Sequence, residues 1–172
     1  MKVKDLMIPI SDYKSVKTTA SFAEVASILT ESEHRDVLVT NEEGKFEGVL
    51  TMSDIILALE PNYKKLGQKD LQSDILSNRF VADIFKEFDL WSNTLSDLCK
   101  AGCEKKVTEA MHTPDNTEYI DVNEELEHGV HRYIIGTHQP LIVRDNGNVV
   151  GVLRLSDIFD EIKKRMLACA CE

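Results

Sequence analysis

The octapeptide "GVLTMSDI" at 48–55 returns as "GVLRLSDI" at 151–158, with six of its eight positions identical. A repeat of this kind constrains the fold more tightly than composition does, because both copies must build the same supersecondary unit. Displaced by 104 residues, Val3 to Thr40 aligns with Val107 to Arg144 without a gap. Val3 meets Val107, Met7 meets Met111, Val16 meets Ile120, Phe22 meets Leu126, His34 meets His138 and Val39 meets Val143. Identities are few here, but apolar positions fall on apolar positions. One residue is lost between "NEEGK" and "DNGN", and the match resumes at an offset of 103 in the octapeptides. The deletion falls where a hairpin tip would absorb it.

Local signals give each copy the order β-α-β-β-α. Tyr13 to Lys17 is a short extended stretch, matched by Thr117 to Val122. Ser21 and Glu24 have capping-box spacing, and Phe22, Val25, Ala26 and Leu29 then form one helical face. In the second copy Asn123 is the expected N-cap, followed by Leu126, Val130 and Tyr133. Val37 to Thr40 and Phe46 to Leu50 flank a glycine-containing turn, as do Leu141 to Arg144 and Val149 to Leu153. Ser53 and Ser156 are the expected caps of the closing helices. A unit of about 60 residues has a marginal core, so two units packed together are expected. The fold class is therefore α+β, with two β-α-β-β-α units related by a pseudo-twofold axis. The domain expectation is residues 1–60, then 106–172 with a cysteine-containing tail, separated by a helical insertion at 61–105. Within the insertion Leu71, Ile75, Phe80, Ile84 and Phe88 lie at near-helical spacing, and a further short helix is expected from Thr94. Its aromatic content marks an ordered segment that packs on the repeats or on a partner.

The formal net charge of −10, without any basic block, argues against a nucleic-acid partner. An anionic ligand must be met by a local site acting against that field. No stretch is long and apolar enough for a signal h-region or a membrane span, so a cytoplasmic setting without membrane association is expected. In that reducing compartment Cys99, Cys103, Cys169 and Cys171 are expected to be thiols.

Two β-α-β-β-α units, each carrying Gly-h-x-x-x-x-Asp into the last helix, resemble the cystathionine-β-synthase (CBS) domain, and the pair resembles a Bateman module. The family pattern G-h-x-[ST]-x-x-[DN] is met in full by Gly48, Thr51 and Asp54. The second copy keeps Gly151 and Asp157 but has Arg154 in place of the hydroxyl residue. The lead-ins "VKDLMIP" and "VTEAMHTP" also resemble those of the family.

The resemblance implies a regulatory protein that binds AMP, ADP, ATP or S-adenosylmethionine between its units and signals occupancy to a protein partner, with no required cofactor and no catalytic residues. It also implies a homodimer. Asp54 and Asp157 would accept from ribose hydroxyls. Thr51 would lie near phosphate at a helix N-terminus. The adenine edge would be formed by Ser15, Val16, Asp36 and Val37 in one copy and by Tyr119, Ile120, Pro140 and Leu141 in the other. Arg154 has two readings: it pairs a phosphate bidentately, or it fills the cleft and cancels a site. The unlike residues Thr51 and Arg154 predict two unequal sites.

Plainer readings stand beside these. An Asp at a helix start is also a cap and dipole partner, worth roughly 0.5–2 kcal/mol with no ligand. A ligand-free dimerisation scaffold, with the insertion as docking surface, is the alternative function. Neither the cysteines nor the His128 and His131 pair has convincing metal spacing, and no metal site is expected. His34 and His138 occupy equivalent positions and would line the cleft or serve an ordinary loop role. The terminal "ACACE" resembles a prenylation box in form only.

Overall fold

The computed structural model describes residues 1–32, 34–60, 62–63, 83 and 85–169. Its elements begin with β1 (Ile8–Pro9), a two-residue strand inside the first lead-in. The first unit continues as β2 (Ser15–Lys17), α1 (Phe22–Ser32), β3 (Asp36–Thr40), β4 (Phe46–Thr51) and α2 (Met52–Leu59). Helix α3 (Leu95–Gly102) follows in the insertion. The second unit is β5 (Tyr119–Asp121), α4 (Leu126–Ile134), β6 (Leu141–Asp145), β7 (Asn148–Leu153) and α5 (Leu155–Cys169).

Strand β3 pairs parallel with β2 and antiparallel with β4, while β6 pairs parallel with β5 and antiparallel with β7. The register slips at Val39/Thr40 and again at Val143/Arg144, so even the irregularity repeats. Both hairpins turn where the sequence predicts. In the second, Asn146 (φ 48°) and Gly147 (φ 83°) take the left-handed conformations that a two-residue hairpin requires.

Every residue of β3 is buried, because both of its faces are covered. Val37 and Val39 join Val16, Phe22, Val25, Leu29 and Leu50 beneath the helices of the first unit. Leu38 points the other way and meets Val49, Ile142 and Val152 in a cluster shared by the two sheets. Helices thus cover one face of each sheet, and the two sheets meet through their opposite faces.

The lead-ins are exchanged between the units. Strand β1 pairs antiparallel with β7 of the second unit, Ile8 opposite Val152. Val3 is fully buried in the second unit's core, beside Ile120, Leu126 and Leu153. Reciprocally, His112 pairs with Val49 of β4, donating its N–H at 2.8 Å and accepting at 2.9 Å. Val107 is fully buried in the first unit's core. Burying each valine contributes about 1.5–3 kcal/mol, so each unit is completed by the other's lead-in.

This exchange explains the repeated glycine. A Cβ on Gly48 would lie 2.6 Å from the His112 carbonyl oxygen, and one on Gly151 would collide with the Ile8 carbonyl. Backbone passes over backbone there, and only glycine leaves the room.

Several local expectations are corrected. Ser53 is not the cap of α2: Thr51 is, with its side chain accepting from Asp54 N–H. Ser156 likewise lies within α5, which starts at Leu155. Asn123 is not the cap of α4, which begins after Glu125, and the Asn123 N–H instead donates to Asp121 Oδ1 in the preceding turn. Ser21 and Glu24 form the expected capping box. Helix α3 starts from Thr94 as expected. Of the predicted insertion stripe, Leu71, Ile75, Phe80 and Ile84 lie outside the described residues, and Phe88 sits in a turn. The segment preceding α3 docks on the first unit through buried Glu60, which accepts from Trp91 N–H at 2.7 Å and Asn62 N–H at 3.0 Å. No helix among the described residues is long and apolar enough to cross a membrane.

Candidate functional site

In both octapeptides a strand turns directly into a helix, and the fourth residue decides how the corner closes. At Thr51 the closure is a capping box. Its N–H and hydroxyl donate to Asp54 Oδ2 at 2.8 and 2.7 Å, and its oxygen accepts from Asp54 N–H at 3.1 Å. The hydroxyl is therefore committed to the corner. Arg154 has no such oxygen and reaches forward instead, with Nε donating to Asp157 Oδ2 at 2.8 Å and Nη2 to Oδ1 at 2.5 Å. That fork occupies both carboxylate oxygens.

Asp54 receives a second visitor from across the unit boundary. His138, in the loop before β6, brings Nε2 to 3.5 Å from the carboxylate. Burial alone would raise Asp54, but hydrogen bonds from His138 and Thr51 outweigh it and hold the carboxyl below its usual range. Burial would depress His138, yet the same contact with Asp54 outweighs it and raises the imidazole above its ordinary value.

Two adjoining cavities lie between the units. One, of about 550 Å³, is lined by Arg35, Asp36, Thr51, Met52, Ser53, Thr137, His138 and Gln139. The other, of about 540 Å³, is lined by Tyr13, His34, Arg35, Asp36, Gln139, Arg154, Leu155, Ser156 and Phe159. Arg35, Asp36 and Gln139 belong to both, so the pair forms one cleft with two halves. Each half is of ligand-binding size. Arg35 has no ion pair among the described residues, which leaves a cation at the centre of the cleft in an acidic protein.

The expected site residues separate by where the fold places their side chains. Thr51, Asp36 and Arg154 line the cleft. Asp54 reaches it through His138, whereas Asp157 opens onto a third cavity of about 330 Å³ beside Arg154, Leu6 and Lys164. Val16 and Val37 belong to the first unit's core, and Ile120 and Leu141 to the second's, so only their backbones are available to a ligand. Pro140 is buried behind a cis peptide bond, and Ser15 is exposed on β2. Tyr119 lies under the Arg144 guanidinium, 3.0 Å from its ring centroid.

Asp36 is buried, and Tyr13 donates its hydroxyl to Asp36 Oδ1 at 2.5 Å. Burial pushes the Asp36 carboxyl above its usual range, only partly opposed by that bond. Burial also raises the Tyr13 phenol, and the adjacent Asp36 carboxylate adds to the effect. The His34 ring stacks on Tyr13 at 4.9 Å, and its Nδ1 has no hydrogen-bond partner among the described residues.

Sequence reasoning missed His112, Glu118, Tyr13, Arg35 and Gln139. His112 lies in the lead-in "VTEAMHTP", where an unusual residue at an otherwise apolar repeat position was the available signal. His128 pairs with Glu124 on an exposed helix face, as a solvated histidine would. Cys99, Cys103 and Cys169 are exposed free thiols, and Cys171 lies outside the described residues.

Residues 3–61 match the family model of the CBS domain. No curated protein matches the chain in sequence. Among solved structures, CBSX2 in complex with AMP is 21% identical at a TM-score of 0.62, covering 95% of this chain and 97% of its own. A CBS-domain-containing protein from Agrobacterium tumefaciens is 18% identical at a TM-score of 0.61, covering 92% of this chain and 91% of its own. A CBS-domain-containing protein of unknown function from Bacillus anthracis is 17% identical at 0.60, covering 95% and 94%. The first unit is thus a CBS domain, and the chain as a whole has the fold of a tandem CBS pair.

Proposed function

We propose that this CBS pair is a regulatory module that binds an adenosine nucleotide, or S-adenosylmethionine, in the cleft between its units. The observation that carries the reading is the cleft itself, which has Thr51 and Ser53 at a helix start on one side and beside them Arg35, a cation with no ion pair among the described residues. The similar CBSX2 was solved with AMP, which supports the ligand class. The first motif is the stronger half, because among the described residues Asp54 Oδ1 has one long contact while Asp157 has both oxygens held by Arg154.

Ligand entry at Asp54 displaces His138, and this is how occupancy becomes a signal. The His138–Asp54 contact joins the two units, so a ribose that takes its place favours an arrangement in which they are differently held. The signal passes to a partner protein or a second copy. Equivalent apolar residues are exposed on the closing helices, Met52 and Ile56 on α2 and Leu155 and Phe159 on α5. That doubled face supports a homodimer.

Thermal melting with AMP, ADP, ATP and S-adenosylmethionine tests the binding reading. A site filled to a hundred times its dissociation constant adds about 2.7 kcal/mol of stability. No shift with any of the four at millimolar concentration would sink it. A shift that survives Asp54→Ala combined with Asp157→Ala would leave binding intact but remove the site assignment.

A further inference from the structure

We infer that His112, Glu118 and His138 form a binding site for a first-row divalent transition ion, of which zinc is the representative probe. The metal-ligating atoms of these three side chains all lie within 4.8 Å of one another. His112 Nε2 is 2.7 Å from Glu118 Oε2, and the two imidazole rings stack at 4.0 Å with an interplanar angle of 22°. Two imidazoles and one carboxylate are a donor set suited to zinc and its neighbours, not to magnesium or calcium, which prefer all-oxygen shells. Ligands about 2.0–2.2 Å from an ion require shifts of roughly an ångström from these positions.

The three donors are held from outside. His112 is fixed by its two backbone bonds to Val49 of β4. Glu118 is buried at 6% exposure, with Oε2 accepting from Asp115 N–H at 2.8 Å and Oε1 from His138 N–H at 3.3 Å. His138 turns Nε2 to Asp54, leaving Nδ1 for an ion; a carboxylate behind a ligating imidazole is the usual support of such a ligand. Asp54 is itself fixed by Thr51.

Charge gives an independent argument. Among the described residues neither Glu118 nor Asp54 forms an ion pair with a lysine or arginine; the ionisable base beside each is a histidine. A divalent ion supplies the missing positive charge. The repeat gives another. The first-copy positions equivalent to His112, Glu118 and His138 are Ile8, Lys14 and His34, so the donor set exists in one copy only. Two of the three positions differ between copies in the direction that creates a ligand.

The test is titration of chelator-treated full-length protein with Zn²⁺ by calorimetry and with Co²⁺ by visible absorption. One equivalent binding at micromolar concentration or tighter is expected, with d–d bands and no thiolate-to-cobalt charge-transfer band. His112→Gln and His138→Gln should each weaken binding at least tenfold, while His128→Gln and His131→Gln leave it unchanged. If the first two variants do not fold, carbethoxylation of the unaltered protein followed by peptide mass spectrometry gives the same answer. Zinc should then protect His112 and His138 and leave His128 and His131 reactive. No binding, binding indifferent to the cluster variants, a thiolate charge-transfer band, or no protection would each overturn the assignment.

Discussion

Replacing Gly48 with alanine would set a methyl carbon 2.6 Å from the His112 carbonyl oxygen. An ordinary carbon–oxygen contact needs roughly 3.3 Å, so the second lead-in must retreat by about 0.7 Å. The two bonds between His112 and Val49, at 2.8 and 2.9 Å, would then stretch past useful length. Their loss costs about 1 kcal/mol each, and the crowding adds about 1–3 kcal/mol. Reduced freedom of the unfolded chain returns about 0.4–1 kcal/mol. The net expectation is a loss of about 2–5 kcal/mol, or a melting temperature lower by roughly 4–18 °C. Urea unfolding reads the energy, and hydrogen exchange reads the place: the amides of Val49 and His112 should exchange faster. Gly44→Ala is the control. It has open space around it but φ +82°, so it should destabilise through backbone strain and leave those two amides protected. A Gly48→Ala protein as stable as the parent, with unchanged protection at Val49 and His112, would refute the account of why the motif contains glycine.

Asp36→Asn should stabilise the protein at neutral pH, because burial raises the Asp36 carboxyl while the amide oxygen can still accept from Tyr13. A raised folded value means the folded state binds its proton more tightly, so the unaltered protein gains stability as pH falls through the folded value towards the ordinary carboxylate range. His34, His138, Arg154 and Tyr13 all act on this group, and the advantage of the variant should shrink across that window in pH-dependent urea melts. Glu60→Ala leaves the Trp91 and Asn62 N–H groups without their acceptor and should cost about 2–4 kcal/mol, with increased proteolysis between 83 and 94. In the proposed homodimer, Ile56→Glu combined with Phe159→Glu should lower the mass measured by light scattering from dimer to monomer while the far-ultraviolet circular dichroism stays unchanged, since both side chains are exposed in the monomer.

The repeat made the two units, their hairpins and the α+β class legible, since period-2 and helical patterns are local and occurred twice. The exchange of lead-ins was not legible: Val3 and Val107 announce only that they are apolar, not which core they enter. The caps were misplaced for a related reason. "TMSD" offers two hydroxyls, and the choice of Thr51 over Ser53 depends on where β4 releases the chain. Arg154 shows what the sequence left open, because a fork to Asp157 three residues on is an intramolecular use of a group that also suits a phosphate. The cluster of His112, Glu118 and His138 draws on separated segments, and only the folded chain brings them together.

The crossed lead-ins have a consequence for the history of such a chain. A lone unit with its own lead-in would hold a strand it cannot use and a groove it cannot fill, and a second copy of itself would answer both needs. Two copies trading lead-ins about a twofold axis would reproduce the arrangement that here joins Val3 to one core and Val107 to the other. The protein has the form of a swapped dimer whose halves share one backbone. Once tethered, the halves need no minimum concentration to find each other. They are also released from identity: Thr51 can face Arg154, and Lys14 can face Glu118, which no self-paired twin would permit.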